Sequence, residues 1–107
     1  MNQMKVRSKI IVMNVAHAYG VVSDDIIGAG RRSHIVRPRM VAIALCRDVR
    51  GDSFSQIART FGGRHHTTIM HHVNRLHEML RDGTADDLDR ATYWRLKAYF
   101  NELQGAV

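Results

Sequence analysis

The chain has 107 residues, 45% of them hydrophobic, with one proline and one cysteine, and shows no low-complexity tract or internal repeat; this is the make-up of one folded domain around a modest core. Cys46, standing alone, excludes an intramolecular disulfide framework and a cysteine zinc site, which suits a reducing cytosol. The formal charge of +6 is uneven: residues 1–81 carry thirteen Lys and Arg against five Asp and Glu, and residues 82–107 carry three against five, so a polyanion such as nucleic acid is a natural partner, although solubility alone would also explain a basic chain.

Lys5, Arg7 and Lys9 ahead of IIVMNV imitate the start of a secretory signal, but the apolar run is six residues long and is broken by Asn14. The same stretch predicts an amphipathic helix over about 3–19, with Ile11, Val12, Val15, Ala18 and Tyr19 facing the core and Gly20 ending it. Ser23 is expected to cap a short helical turn over 24–27, whose Asp24 and Asp25 suit a helix N-terminus. A loop over 28–37 follows, made pliable by Gly28 and Gly30 and carrying Arg31, Arg32 and Arg37 with no acid. Such an arm can enter a narrow minor groove or can simply be solvated. Pro38 reads as the first position of a third, central helix through Met40, Val41, Ala44, Leu45 and Val49, with Arg39 and Arg47 placed to touch phosphates.

Residues 52–81 are the most informative. Ser53 caps a helix and Gln56, three residues on, completes a capping box. Phe54, Ile57, Ala58 and Phe61 then share one face. Gly62 and Gly63 end that helix, and a second follows with Ile69, Val73, Leu76 and Leu80 on its apolar stripe and Thr67, His71 and Asn74 opposite. This is the pattern of a helix-turn-helix, in which the second helix offers its N-terminal residues to base edges in the major groove. Here those residues are His65, His66, Thr67 and Thr68. A last helix over about 85–104, capped by Thr84, carries Leu88, Tyr93, Trp94, Leu96, Tyr99, Phe100 and Leu103 and is expected to pack back onto the body. A role for it in binding a partner is the minor alternative.

Other chemistry finds little support. His65, His66, His71, His72 and His77 crowd one region, yet no two lie three or four residues apart, the spacing two ligands on one helix face need. No HExxH is present, and the carboxylates cluster where helix caps belong. Neither a metal, nor another cofactor, nor an enzymatic reaction is expected.

The motifs VAHAYGV with DDIIG, RRSHIVRPRMVAIALCRDV and SFSQIARTFGGRHHTTIMHH together resemble, over 10–76, the C-terminal DNA-binding domain of the bacterial replication initiator DnaA. The resemblance implies that His66, Thr67 and Thr68 read bases or hold phosphates and that Arg31 enters the minor groove. It further implies that Arg39 touches DNA, that Arg47 and His71 lie near the backbone, and that Arg64 is the signature arginine. Arg32, Arg37 and Ser53 join them as candidate contacts. The family signature has Asp where this chain has His65, and a polar residue where it has Met40. Aspartate accepts from cytosine N4 while histidine can donate to a purine or a phosphate, so the preferred sequence should shift at one base pair. No GxxxxGK[ST] loop occurs, so ATP binding is not expected; the chain would be a free-standing regulator, a prophage competitor or an excised domain.

The reading is therefore an all-α single domain over 1–107, of about five to six helices. It would bind double-stranded DNA specifically at DnaA-box-like elements and regulate replication initiation or transcription in the bacterial cytoplasm, at the nucleoid. The alternative is a protein-interaction module that binds or competes with the replication initiator or its regulators. No membrane contact is expected.

Overall fold

A computed structural model describes residues 5–30 and 32–105. It is all-α, with six α-helices among those residues: α1 (Ser8–Tyr19), α2 (Ser23–Ile27), α3 (Ser33–Leu45), α4 (Phe54–Thr60), α5 (His66–Asp82) and α6 (Asp87–Leu103). A π-helical turn, Cys46–Arg50, extends α3. The central member is α3, which packs against α1, α2, α5 and α6. Residues 38–46 along it are all buried, as expected of a helix surrounded on every side. Phe61 and Phe100 are fully enclosed in the same core, each worth roughly 1.5–3 kcal/mol of hydrophobic stabilisation. Cys46 belongs to that core, and burial pushes its thiol up to about 12, so it is an apolar filler and not a nucleophile.

Several boundaries differ from the sequence reading. Residues 5–7 are not helical, and α1 starts at Ser8; the expected start at Gln3 lies outside the described residues. Tertiary bonds hold the backbone of Val6: its N–H donates to Gln104 Oε1 (2.8 Å), and Arg50 donates to its carbonyl. Ser23 is the first residue of α2, and Val22 takes the cap position with no side-chain bond. The loop after α2 is shorter than expected, because α3 starts at Ser33 and places Arg37 on the helix. Pro38 therefore sits inside α3 and not at its first position. The carbonyl denied its N–H is that of His34, an exposed residue in the first turn, where water can substitute.

The start of α6 is also corrected. Asp86, not Thr84, occupies the cap position, since the Thr84 N–H donates to the Met79 carbonyl (2.9 Å) and helps end α5. The face of α6 turned inward carries Asp89, Thr92, Tyr93, Leu96 and Phe100. Leu88, Trp94, Tyr99 and Leu103, expected in the core, are each about half exposed. A straight helix has one side against the body, and the apolar set runs further round it than that side reaches.

The glycine turn behaves as its sequence requires. Gly62 (φ 78°) and Gly63 (φ 74°) both adopt the left-handed conformation after α4. A Cβ at Gly62 would stand 3.0 Å from the Ile27 carbonyl oxygen, while one at Gly63 would meet nothing within 4 Å. Gly63→Ala should therefore destabilise by about 1 kcal/mol through backbone strain alone, and Gly62→Ala by about 1 kcal/mol more. Urea unfolding of the two variants checks this; equal losses would show that the Ile27 carbonyl yields freely.

Candidate nucleic-acid interface

The helix-turn-helix is assembled by local bonds. The Ser53 hydroxyl accepts the Gln56 N–H (3.1 Å) and Gln56 Oε1 accepts the Ser53 N–H (2.8 Å), which closes the capping box on α4. At the head of α5, His65 Nδ1 accepts the Thr67 N–H (3.1 Å), and the His65 and His66 rings stack with centroids 4.4 Å apart. Ile69, Val73, Leu76 and Met79 anchor α5 inward. The outer side then presents His66, Thr68, His71, Asn74 and Arg75 as exposed residues, with Thr67 half-buried.

The glycine loop lies beside this head because two arginines hold it there. A five-residue helix leaves its last carbonyls without N–H partners. Arg39 supplies them: Nε donates to Ile26 O (2.7 Å), Nη2 to Asp25 O (2.8 Å) and Nη1 to Gly30 O (2.7 Å). Arg64 reaches the same segment from the helix-turn-helix, donating to Gly28 O (2.8 Å) and Phe61 O (2.6 Å). Together the two cations close α2 and seat the start of the loop against α3 and the glycine turn that precedes α5. Between them opens a cleft lined by Val36, Arg39, Arg64, His65, Thr68 and His72. Burial, then the charges of Arg64, Arg39 and His71, push the His72 pKa down from its ordinary value. That lowering favours the neutral form of His72, chiefly because burial penalises its charge and secondly because of the neighbouring cations.

The expected contact residues fall into three groups. His65, His66, Thr67, Thr68 and His71 come together on and beside the outer face of α5, with Ser53 exposed at the cap of α4. Arg32, at the cap position of α3, is exposed on the loop side. The remaining arginines are engaged with the protein. Arg39 is only 4% exposed and turns inward, not toward solvent. Arg37 pairs with the buried carboxylate of Asp89, and more loosely with Asp86 (3.8 Å), at the start of α6. Arg47 donates to Asp52 O (2.9 Å), with its guanidinium 4.4 Å above the Phe54 ring. Arg31 lies outside the described residues.

Sequence reasoning passed over His72 and Val36 in the cleft and Arg75 on the outer face. Arg75 lies four residues beyond His71, so helical spacing could have found it. Another unforeseen cluster ties the far end of α5 to the body: Asp48 Oδ2 takes a hydrogen bond from the Tyr93 hydroxyl and lies 2.6 Å from His77 Nε2. Burial, then the bond to Asp48, push the Tyr93 phenol well above its usual value, so it stays a donor.

No three His, Cys, Asp or Glu residues gather to hold a metal among the described residues, and no described helix is long and apolar enough to cross a membrane. A capped helix, a glycine turn and a polar-fronted second helix beside a basic loop define a helix-turn-helix of the DNA-binding class. The family model for the bacterial DnaA protein helix-turn-helix matches residues 8–76, and the chain belongs to that family. It is 40% identical over 90 residues to the chromosomal replication initiator protein DnaA of Ruegeria pomeroyi, covering 82% of the chain and 19% of that protein. The corresponding protein of Cereibacter sphaeroides is 42% identical over 86 residues (78% and 19%), and that of Thermomicrobium roseum 34% over 94 residues (88% and 20%). The chain thus spans about a fifth of the length of these relatives. Membership of this helix-turn-helix family supports binding of DNA and gives no sign of catalysis.

Proposed function

We propose that the chain binds double-stranded DNA sequence-specifically, at elements like the DnaA box, and regulates replication initiation or transcription by occupying them without ATP. The carrying observation is the exposed polar head of α5 beside a basic loop that Arg39 and Arg64 hold in place. His65, His66, Thr67 and Thr68 face base edges, while His71 and Ser53 lie against phosphates. Arg31 and Arg32 supply the cationic arm. Arg39 and Arg64 act mainly by fixing the loop, since much of their donor capacity is directed at backbone carbonyls. Arg47, bonded to a neutral carbonyl, contributes positive potential more than direct contacts, while Arg37 is largely offset by Asp89 and Asp86.

The test compares a box-like duplex with a scrambled one. Thr67→Ala and Arg31→Ala should each weaken the matched duplex by about 1–3 kcal/mol and the scrambled one by much less. Equal binding of both duplexes, untouched by either substitution, would reject base reading. Unchanged DNA binding with loss of a replication-initiator complex would favour the protein-interaction alternative.

A further inference from the structure

We propose that His65 is a hydrogen-bond donor of fixed tautomer, and that it selects guanine at one position of the DNA element. This rests on the DNA reading above. A neutral imidazole carries one N–H and one lone pair. His65 Nδ1 accepts the Thr67 N–H at 3.1 Å, so the lone pair is there and the hydrogen is on Nε2. The cap position makes this bond part of the fold, because it satisfies one of the first N–H groups of α5. The stack on His66, at 4.4 Å and 30° between planes, restrains the ring a second time. With Nδ1 held against the backbone, Nε2 is on the opposite edge of the ring. His65 is exposed, and no hydrogen bond to Nε2 is present among the described residues.

The two nitrogens therefore do separate work. One closes the helix and the other offers a hydrogen to whatever lies at the helix head. A side chain that can only donate does not match the N4 amino group of cytosine, which is itself a donor. It suits guanine best, whose major-groove edge carries two acceptors, N7 and O6; adenine sets an amino group beside its N7, and thymine offers O4 alone. The other lining groups agree. Arg39 and Arg64 bring positive charge to the cleft that His65 borders, which further favours an edge made of acceptors.

The experiment selects duplexes from a random pool with the unaltered protein and with His65→Asp. Aspartate is a good cap acceptor, so α5 keeps its N-terminus while the outward group changes from donor to acceptor. The expected result is one position at which the unaltered protein enriches guanine and the variant enriches cytosine. Exchanging the two bases there should change affinity about tenfold or more for each protein, with other positions unchanged. Nitrogen-15 NMR of the free protein should show His65 Nδ1 without a hydrogen. The same base selected by both proteins, with preferences elsewhere intact, would overturn the assignment while leaving the DNA reading standing. A hydrogen found on Nδ1 would overturn it as well. No preference at any position for either protein would remove the DNA reading and this inference together.

Discussion

Arg39→Ala should lower the unfolding free energy by about 3 kcal/mol or more. Its guanidinium is the partner of three carbonyls, at Asp25, Ile26 and Gly30, and the side chain is almost wholly buried. Hydrogen bonds from a charged donor are worth about 1.5–3 kcal/mol each, and removal leaves acceptors facing a void. The three bonds are not additive, so the lower figure is the safer expectation. Burial, then the charge of Arg64, push the Arg39 pKa down, with Asp25 opposing. Urea denaturation should move to a lower midpoint with an unchanged slope, and the melting temperature should fall by about 12 °C or more. Arg39→Lys should recover little, because one ammonium cannot reach three divergent carbonyls. A loss below about 1 kcal/mol would mean that water replaces the guanidinium and that the loop does not depend on it. Because these bonds fix the basic loop on α3, Arg39→Ala should also weaken DNA binding at temperatures where the variant is still folded, if the loop contacts DNA as proposed.

Binding to a box-like duplex should fall by about two to three orders of magnitude between 50 and 200 mM salt, for about five phosphate contacts. Each phosphate neutralised releases condensed counterion, and the response is steep because those releases multiply. On the proposed reading the exposed Arg32 and the polar head of α5 would supply such contacts, and the net charge of +6 the field that draws the duplex in. Arg37 is the instructive exception. Its pairing with Asp89 and Asp86 predicts that it contributes little to the salt slope, although its position in sequence groups it with the arm. Titration of fluorescent duplex at four or five salt concentrations gives the slope directly. A flat response would leave no part for the phosphate backbone and would point to a protein partner.

The helix-turn-helix was legible because everything that defines it is local. A capping box spans three residues, a glycine turn two, and an apolar face repeats every three or four, so Ser53, Gln56, Gly62, Gly63 and Ile69 announce it without knowledge of the rest. The boundaries that moved did so where distant groups intervened. Arg50 and Gln104 hold the backbone of Val6 outside α1, and Thr84 is taken by the end of α5. The half-exposed Trp94, Tyr99 and Leu103 were misplaced because apolar content shows that a helix has a buried side, not how wide that side is.

By itself the sequence determined an all-α chain with both helices of its helix-turn-helix, the residues at the head of the second, and a basic loop upstream. Only the tertiary structure decided which cations remain available. Arg39 finds its carbonyls nine to fourteen residues away, Arg64 reaches back 36 to Gly28, and Arg37 meets Asp89 at a separation of 52. A long flexible side chain takes whichever acceptor the folded backbone brings within reach. The sequence shows the charge, and the packing of α2, α3 and α6 around it chooses the partner.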